Sequence, residues 1–265
     1  MVKNILPLLP KHHHYVEVFC GGAKLLFGKE PSKIETINDL NSDLVNFYRM
    51  LRDHGPYLQK KLDATPYSRE EWEYCRKYDG NDSIERARCF FVRLRQSFGG
   101  IPRGWSFNTT NVNDVAARKF RNAVERFEDI TERLKRVQIE CRSFEIILLK
   151  YNNKDVLFYL DPPYIHSTRT KGSCRLYDHE MTDDQHKQMV ELLLNLKAKC
   201  ILSGYQHEIY SPLERAGWQR RDYSQSVRLE MKSKKERKDT IESLWLCPQT
   251  VEELNAQATP LFDGE

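Results

Sequence analysis

The chain lacks any apolar run that approaches the roughly 20 residues of a membrane-spanning helix. It also shows no sign of a secretory signal peptide, because the short apolar patch after Met1 is interrupted by Pro7 and Pro10. Apolar residues nevertheless make up 40% of the chain, enough for a sizeable core. These absences predict a protein with no membrane partner.

Paired cysteines are absent as well. The seven cysteines are odd in number, lie far apart and include no Cys-x-x-Cys pair. We therefore expect the reduced thiols of a cytoplasmic protein, with neither disulfides nor a zinc site. The three consecutive histidines, His12 to His14, cannot converge on one ion, so we predict no metal.

The net charge is small, but its distribution is uneven. The formal net charge is +4, which is modest for a nucleic-acid binder. Residues 84–126 contain nine Lys and Arg against three acids, and residues 215–238 contain nine against three again. A solvated surface would account for either stretch alone, whereas two such stretches in one chain favour a polyanionic partner.

Residues 155–164, Asp-Val-Leu-Phe-Tyr-Leu-Asp-Pro-Pro-Tyr, combine a buried-strand pattern with an abrupt end. The run 156–160 is apolar throughout, as in a parallel strand buried on both faces, and two prolines then forbid further ladder bonds. Asp161 therefore follows a strand at the sheet edge where ligands bind. Its carboxylate and the Pro162 carbonyl can accept both hydrogens of a planar exocyclic amine, and Tyr164 can stack on the attached ring. The alternative is a plain strand and turn.

The amino-terminal part predicts a strand at 15–19, a glycine turn at 20–23 and a helix from 24 to 28. Glycines allow a ligand to approach the backbone closely. Asp39 follows the next predicted strand, about 20 residues after the turn, where an acid can bind ribose hydroxyls. The alternatives are an ordinary turn and a helix cap, and Asn41 can cap while Asp39 binds a ligand.

From 55 to 136 the alternation of strands and helices lapses. Helical patterns are predicted over 69–78, 83–98 and 114–136, and a glycine-flanked loop lies between the last two. Within this loop Arg103 can reach base edges and Trp105 can wedge or stack. The alternative is a surface loop held by its own aromatic side chains.

Two further strands, 218–231 and 239–246, are predicted near the carboxyl end. The connection 232–238 holds five basic residues and one acid, which suits a hairpin tip that contacts phosphates. A solvated turn is the alternative. We expect the polar tail after Pro248 to be peripheral.

Five segments, in this order and spacing, resemble the motifs of Dam-like DNA adenine methyltransferases, especially those carried by prophages. The segments are Val16 to Ala23, Asn38 to Leu44, Asp161 to Tyr164, Leu202 to Tyr205 and Glu242 to Trp245. Only the Asp-Pro-Pro-Tyr segment is specific by itself. The resemblance extends over about residues 6–248.

The resemblance implies an α/β fold, a Rossmann-like S-adenosylmethionine-dependent methyltransferase sheet with a helical DNA-recognition insertion and a C-terminal basic hairpin. The implied domains are a catalytic domain at 1–54 and 137–248, a target-recognition insertion at 55–136 and a peripheral tail at 249–265.

The resemblance further implies a monomeric cytoplasmic enzyme, in a bacterial or phage-infected cell, that methylates a flipped adenine in double-stranded DNA. The implied catalytic residues are Asp161, Pro162, Pro163 and Tyr164. The implied S-adenosylmethionine contacts are Glu17, Phe19, Cys20, Gly21, Gly22, Asp39, Leu40, Ser143, Phe144 and Asp161. The expected DNA contacts are Arg95, Arg103, Trp105, Lys232, Lys234, Lys235 and Lys238.

The chain departs from the family pattern in two places. The lysine of the usual Gly-Gly-Lys element would fall just before Met1, so we expect either a start further upstream or weaker cofactor binding. Where relatives usually carry Asp-Phe, this chain carries Ser143-Phe144, and a serine can bond an amine only without charge. The family often reads GATC. The competing functions are a catalytically weak DNA-binding relative and the methylation of RNA or of a protein amide.

Overall fold

The structure, a computed structural model, describes residues 1–98, 104–108, 115–165, 181–225 and 240–258. The strands are β1 His14–Glu17, β2 Ile34–Asn38, β3 Gln138–Glu140, β4 Val156–Leu160, β5 Lys199–Gly204, β6 Gln219–Gln225 and β7 Thr240–Leu246. The helices are α1 Val2–Ile5, α2 Lys24–Gly28, α3 Ser42–Asp63, α4 Arg69–Lys77, α5 Ser83–Arg95, α6 Ala116–Glu125, α7 Phe127–Leu134, α8 Phe144–Lys150, α9 Asp183–Leu194, α10 Ser211–Arg215 and α11 Pro248–Ala258.

Seven strands form one sheet in the order β3-β2-β1-β4-β5-β7-β6. Strand β4 is parallel to β1 and to β5, and β2 is parallel to β3. Strand β7 is antiparallel to β5 and to β6. A mostly parallel sheet whose strands alternate with helices confirms the predicted Rossmann-like α/β class.

The described residues divide into two compact units. The first, here called the sheet unit, comprises 1–35, 142–165, 181–225 and 240–258, and the second, the helical unit, lies within 36–141. The helical unit contains the described part of the predicted insertion, and it also takes in α3 and β3. The predicted domain boundaries stay a prediction.

The core of the sheet unit is built around β4. All five of its side chains are buried, because neighbours pair with it on both sides and helices cover the sheet. Phe158 packs in one cluster with Val16, Leu202, Met189 and Trp245. Burying each such side chain stabilises the fold by about 1.5–3 kcal/mol. The rigid end of β4 thereby fixes the position of Asp161.

Threonine side chains fix two helices of the sheet unit. At the start of α9, Thr182 accepts a bond from the Gln185 backbone N–H at 3.2 Å, and the Gln185 side chain accepts from the Thr182 N–H at 2.9 Å. This capping box, Thr182 with Gln185 three residues later, is a typical sequence signature of a helix start. In α11, the fully buried Thr250 accepts from the Cys200 N–H at 2.9 Å, which ties the segment after Pro248 to β5.

In the helical unit, α3 continues across a proline. The helix runs from Ser42 to Asp63 with Pro56 inside it and one non-helical residue, His54. Beside this kink, Thr131 of α7 donates a bond to the Leu51 carbonyl at 3.1 Å. A tertiary contact thus holds α7 against α3 at the kink.

The predicted helix at 114–136 is, in its described part, two helices. Arg126, with φ −85° and ψ 1°, ends α6, and α7 begins at Phe127. The turn lets Phe120 and Phe127 both pack on Phe91, at ring-centroid distances of 5.5 and 5.0 Å. Burial of aromatic area therefore outweighs helix continuity here.

Candidate active site

Asp161 is the first residue after β4, and its carboxyl group has a perturbed acidity. The residue is exposed by surface area, yet protein atoms surround the carboxyl closely enough to weaken its hydration. This desolvation raises its pKa to about 7, with a further increase from the charge of Glu242 and an opposing effect of Lys24. A carboxyl group at a strand end that titrates near neutral pH is typical of a functional site.

Glu242 reaches this region from β7 and is held by β5. The Ser203 hydroxyl donates to Glu242 Oε1 at 3.0 Å, and both residues are buried. Tyr159 of β4 hydrogen-bonds to Ser203, and burial, Asp161 and Glu17 raise the pKa of its phenol. The charge of Glu242 thus raises the pKa of Asp161, and the charge of Asp161 in turn raises the pKa of Glu17.

Glu17, the last residue of β1, is buried with 2% exposure. Its Oε2 accepts from the Tyr15 hydroxyl at 2.9 Å and from the Leu26 backbone N–H at 3.2 Å. Burial raises the pKa of Glu17 to about 8, Asp161 adds to the increase, and the two hydrogen bonds and Lys29 oppose it. The side chain binds the first turn of α2, so it positions the glycine turn from within the protein.

The glycine turn presents its backbone to solvent. Gly21 has φ +43° and Ala23 has φ 46°, and the Ala23 N–H donates to the Cys20 carbonyl at 2.6 Å. A Cβ atom added at Gly21 would meet nothing within 4 Å, so the strain there is purely conformational. Gly21 and Gly22 are exposed and Cys20 is buried. The turn thus offers open main chain to a ligand.

Phe19 and Phe144 lie together near this turn. Their ring centroids are 6.0 Å apart, and Phe144 is buried in the core that β4 anchors. Ser143 occupies the N-cap of α8, but its side chain makes no capping bond. The serine hydroxyl is thus not used by the helix that it precedes.

The Asp-Pro-Pro-Tyr segment leads into a narrow recess. Pro162 is buried, Pro163 and Tyr164 are half-buried, and the Tyr164 ring centroid lies 4.3 Å from that of Tyr205. The recess is a shallow indentation without interior room for a water molecule, and its walls are Pro162, Tyr164, Ile165, Gly204, Tyr205 and Tyr210. A planar group beside Asp161 would meet aromatic surface here.

The remaining predicted cofactor residues belong to the helical unit. Asp39 Oδ1 accepts from the Asn41 backbone N–H at 2.9 Å, and Leu40 is 52% exposed. Asn41 itself caps α3 by accepting from the Asp43 and Leu44 N–H groups. The cap is therefore Asn41, as the sequence indicates, and the ligand role of Asp39 stays a prediction.

Of the predicted DNA contacts, the structure describes Arg95 and Trp105. Trp105 is half-buried, stacked on Phe107 at 5.8 Å, with the Arg69 guanidinium 5.0 Å from its ring. Arg95 is exposed by surface area. Desolvation by the protein atoms around its guanidinium, together with the charge of Arg126, lowers its pKa. Arg103, Lys232, Lys234, Lys235 and Lys238 lie outside the described residues.

Four residues of the site were not singled out from the sequence. Lys24, Ser203, Tyr205 and Glu242 act on Asp161 or Tyr164, directly or through one another. Two of the resembling segments contain Ser203, Tyr205 and Glu242: the first two lie at the end of one apolar strand pattern, and Glu242 lies near the start of another. A polar or aromatic residue at the border of an apolar strand pattern is the sequence feature by which these three residues could have been found.

Neither a membrane helix nor a metal cluster is found within the described ranges. No helix there is both long and apolar enough to cross a bilayer. Nor do three or more His, Cys, Asp or Glu side chains from that part of the chain converge in a way that could hold an ion.

Comparison with known proteins adds a family. The model of the D12 class N6 adenine-specific DNA methyltransferases matches residues 1–226. A type II methyltransferase of Lactococcus lactis, M1.LlaDCHI, is 32% identical over 68% of this chain and 66% of its own length. A DNA N-6-adenine-methyltransferase of Escherichia phage P1 is 25% identical over 73% of this chain and 26% of its own length. A DNA adenine methylase of Vibrio cholerae is 23% identical over 72% of this chain and 71% of its own length.

Proposed function

Because the chain belongs to the D12 class of N6 adenine-specific DNA methyltransferases, we propose that it transfers a methyl group from S-adenosylmethionine to the N6 amine of adenine in duplex DNA. The observation that carries the proposal is Asp161, a carboxyl group with a pKa of about 7 beside an aromatic recess at the end of β4. The reaction class matches the printed descriptions of the relatives from Lactococcus, phage P1 and Vibrio.

The cofactor is assigned to the open turn and the aromatic pair of the sheet unit. Gly21 and Gly22 leave main-chain groups accessible, and Phe19 with Phe144 offers apolar surface. The Ser143 hydroxyl, which does not cap α8, is suited to bond an exocyclic amine. When bound there, S-adenosylmethionine supplies an electrophilic methyl group. Asp39 is assigned to ribose hydroxyls from sequence position alone.

Asp161 and the Pro162 carbonyl are assigned to the amine of the target base. In adenine the nitrogen lone pair is delocalised into the ring, so the amine is a weak nucleophile. Accepting both of its hydrogens favours a pyramidal nitrogen, and the ionised carboxylate stabilises the positive charge that develops during transfer. Holding the base in place supplies a further part of the rate acceleration. These roles require no metal and no covalent intermediate on the protein.

Tyr164 is assigned to the ring of the flipped base. Extruding a base from a duplex costs a few kcal/mol. Stacking on an aromatic side chain returns roughly 1–3 kcal/mol, so Tyr164 offsets part of that cost. Its half-buried position after Pro163 leaves ring surface available for this contact.

The test is transfer of labelled methyl groups to DNA that lacks adenine methylation, followed by digestion and chromatography of the nucleosides. We expect label in N6-methyl-2′-deoxyadenosine. Asp161→Ala should lose about 100-fold or more, whereas Glu191→Ala, an exposed acid on α9, should retain the parent rate. RNA and protein substrates run in parallel, and label that enters either of them instead of DNA contradicts the proposal. Sequencing the methylated DNA then shows whether the site is GATC or another short sequence.

A further inference from the structure

Tyr205 pairs closely with Tyr164 in the recess and has no role in the proposed reaction so far. Strands β4 and β5 are parallel neighbours in the register Leu160 to Leu202. Tyr164 lies four residues after the end of β4, and Tyr205 comes directly after the end of β5. The ring centroids are 4.3 Å apart at a tilt of 38°, slightly below the roughly 4.5–7 Å usual for aromatic pairs.

Tyr205 combines a fixed backbone with an accessible ring. A Cβ atom at the preceding Gly204 would lie 3.6 Å from Tyr210 and 3.7 Å from Trp245, so the chain there packs directly on the core. The Tyr205 side chain itself is only half-buried and forms one wall of the recess. Rotation about its side-chain torsions can move the ring without disturbing β5.

The distance between the rings decides how a base can use this site. A flat base in contact with two aromatic rings needs roughly 7 Å between them, twice a van der Waals separation. At 4.3 Å the facing surfaces of Tyr164 and Tyr205 are already in contact. A base that stacks on this face of Tyr164 must therefore take the place that the Tyr205 ring fills. The exchange replaces one ring contact by another and breaks the side-chain hydrogen bond between Tyr164 and Tyr205.

We propose that Tyr205 is a positioning residue for the extrahelical adenine: its ring covers one face of Tyr164, gives way to the base, and then forms the second wall against which the base is held. The inference rests on the proposed function and adds a residue to the base site.

The test uses a duplex that the parent chain methylates, with 2-aminopurine in place of the methylated adenine. This base brightens when it leaves the DNA stack and is quenched when it stacks on an aromatic ring. Four proteins are compared: the parent, Tyr205→Ala, Tyr205→Phe and Leu194→Ala. Leu194 is a 40% exposed residue of α9, outside the proposed sites, and controls for the loss of an exposed apolar side chain.

With Tyr205→Ala we expect brighter emission in the complex, because one wall is missing, and a kcat/KM on unmodified duplex lowered by about tenfold or more. A mismatch opposite the target makes extrusion easier, so it should shrink this deficit. Tyr205→Phe keeps the ring and should restore parent behaviour, and Leu194→Ala should match the parent throughout.

Parent-like emission and kcat/KM in Tyr205→Ala would overturn the inference and leave the proposed function intact. The inference would also be overturned if the mismatch left the kcat/KM deficit of Tyr205→Ala unchanged and the variant unfolded at a lower temperature. Tyr205 would then serve only in packing. A parent chain that methylates no DNA would overturn the proposed function, and this inference with it.

Discussion

Asp161 illustrates how the surroundings of a single residue set its chemistry. An aspartate in water has a pKa far below neutral, so it is already ionised at mildly acidic pH. Desolvation and the neighbouring Glu242 raise the pKa of Asp161 to about 7. Only the ionised form stabilises the positive charge that develops on the amine nitrogen. The folded-state pKa also lies above that of an unfolded chain, so ionising this carboxyl costs stability. A functional group held at such a cost is common in enzyme sites.

We predict that kcat/KM for methyl transfer rises with pH through about 7, because protonated Asp161 carries no charge to stabilise the positive charge that develops on the amine. In Glu242→Gln the amide oxygen can still accept the Ser203 hydroxyl, but the charge that raises the pKa is gone. The acid limb of this variant should therefore shift to lower pH. Steady-state kcat/KM values across the pH range measure the acid limb of the parent and of the variant. Identical profiles for the two proteins would show that Asp161, with its pKa raised by Glu242, does not control the rate.

Glu17 is a second carboxyl group with a raised pKa, and it predicts a pH-dependent stability. Its pKa is about 8 in the folded chain and near 4.5 in the unfolded one, so between these values the folded state holds the extra proton. Its stability contribution is fully present below about pH 4.5 and is lost as pH rises to about 8. The loss is at most about 1.4 kcal/mol per pH unit.

Glu17→Gln should remove this dependence, since the amide carries no titrating proton and can still accept from Tyr15 and Leu26. Urea unfolding of parent and variant at several pH values between those limits measures the difference in slope. Glu191→Gln, at an exposed site on α9, serves as the control and should keep the parent slope. A Glu17→Gln slope equal to that of the parent would mean that Glu17 is ionised throughout.

At the scale of elements, the contact between α3 and α7 is unusually close. A Cβ atom at Gly55 would lie 2.5 Å from Thr131 Oγ1 and 2.9 Å from Thr131 Cγ2. Thr131 is held in place by its bond to the Leu51 carbonyl. Glycine is therefore required by the approach of the two helices, although it weakens the helix in which it lies.

Gly55→Ala should destabilise the protein by about 1–3 kcal/mol despite the better helix propensity of alanine, because neither helix can retreat from the added methyl group. Thr131→Ala removes the two nearest atoms, so the same change should cost less in that background. A double-mutant cycle by urea unfolding gives the coupling energy. Additive effects of the two substitutions would show that the helices move apart freely.

At the scale of the whole molecule, the basic residues predict two kinds of DNA contact. In the helical unit the positive charge of Arg126 repels that of Arg95. Two neighbouring positive charges of this kind favour the binding of a phosphate group. Lys232 and Lys234 carry the same expectation from the sequence. Arg103, by contrast, lies in a glycine-flanked segment suited to a guanine edge.

Arg95→Gln, and Lys232→Gln with Lys234→Gln, should weaken binding to all duplexes alike and lower the salt dependence by about 0.9 for each lost contact. Arg103→Ala should cost roughly 1–3 kcal/mol on the preferred sequence and little elsewhere. Lys187→Gln, whose lysine pairs with Asp184 at 3.0 Å, is the control. Binding to cognate and scrambled duplexes across a salt series separates these effects. Equal weakening of both duplexes by Arg103→Ala would make it a backbone contact.

The sequence by itself determined the strand β4, the Asp161 motif after it and the capped start of α9. These features depend on local causes, namely an unbroken apolar run, the geometry of proline and a Thr-x-x-Gln cap. The resemblance of the motifs to a methyltransferase family added the fold class, which the strand order confirms.

Only the tertiary structure decided which residues meet Asp161 and Tyr164. Glu242 and Tyr205 come close because β7 and β5 are placed in the sheet by long-range pairing, far from β4 in the chain. The same holds for the helix break at Arg126 and for the continuation of α3 past Pro56, where burial overrides local preference. Local patterns cannot encode such contacts, since their free energy arises from surfaces that meet only after the chain has folded.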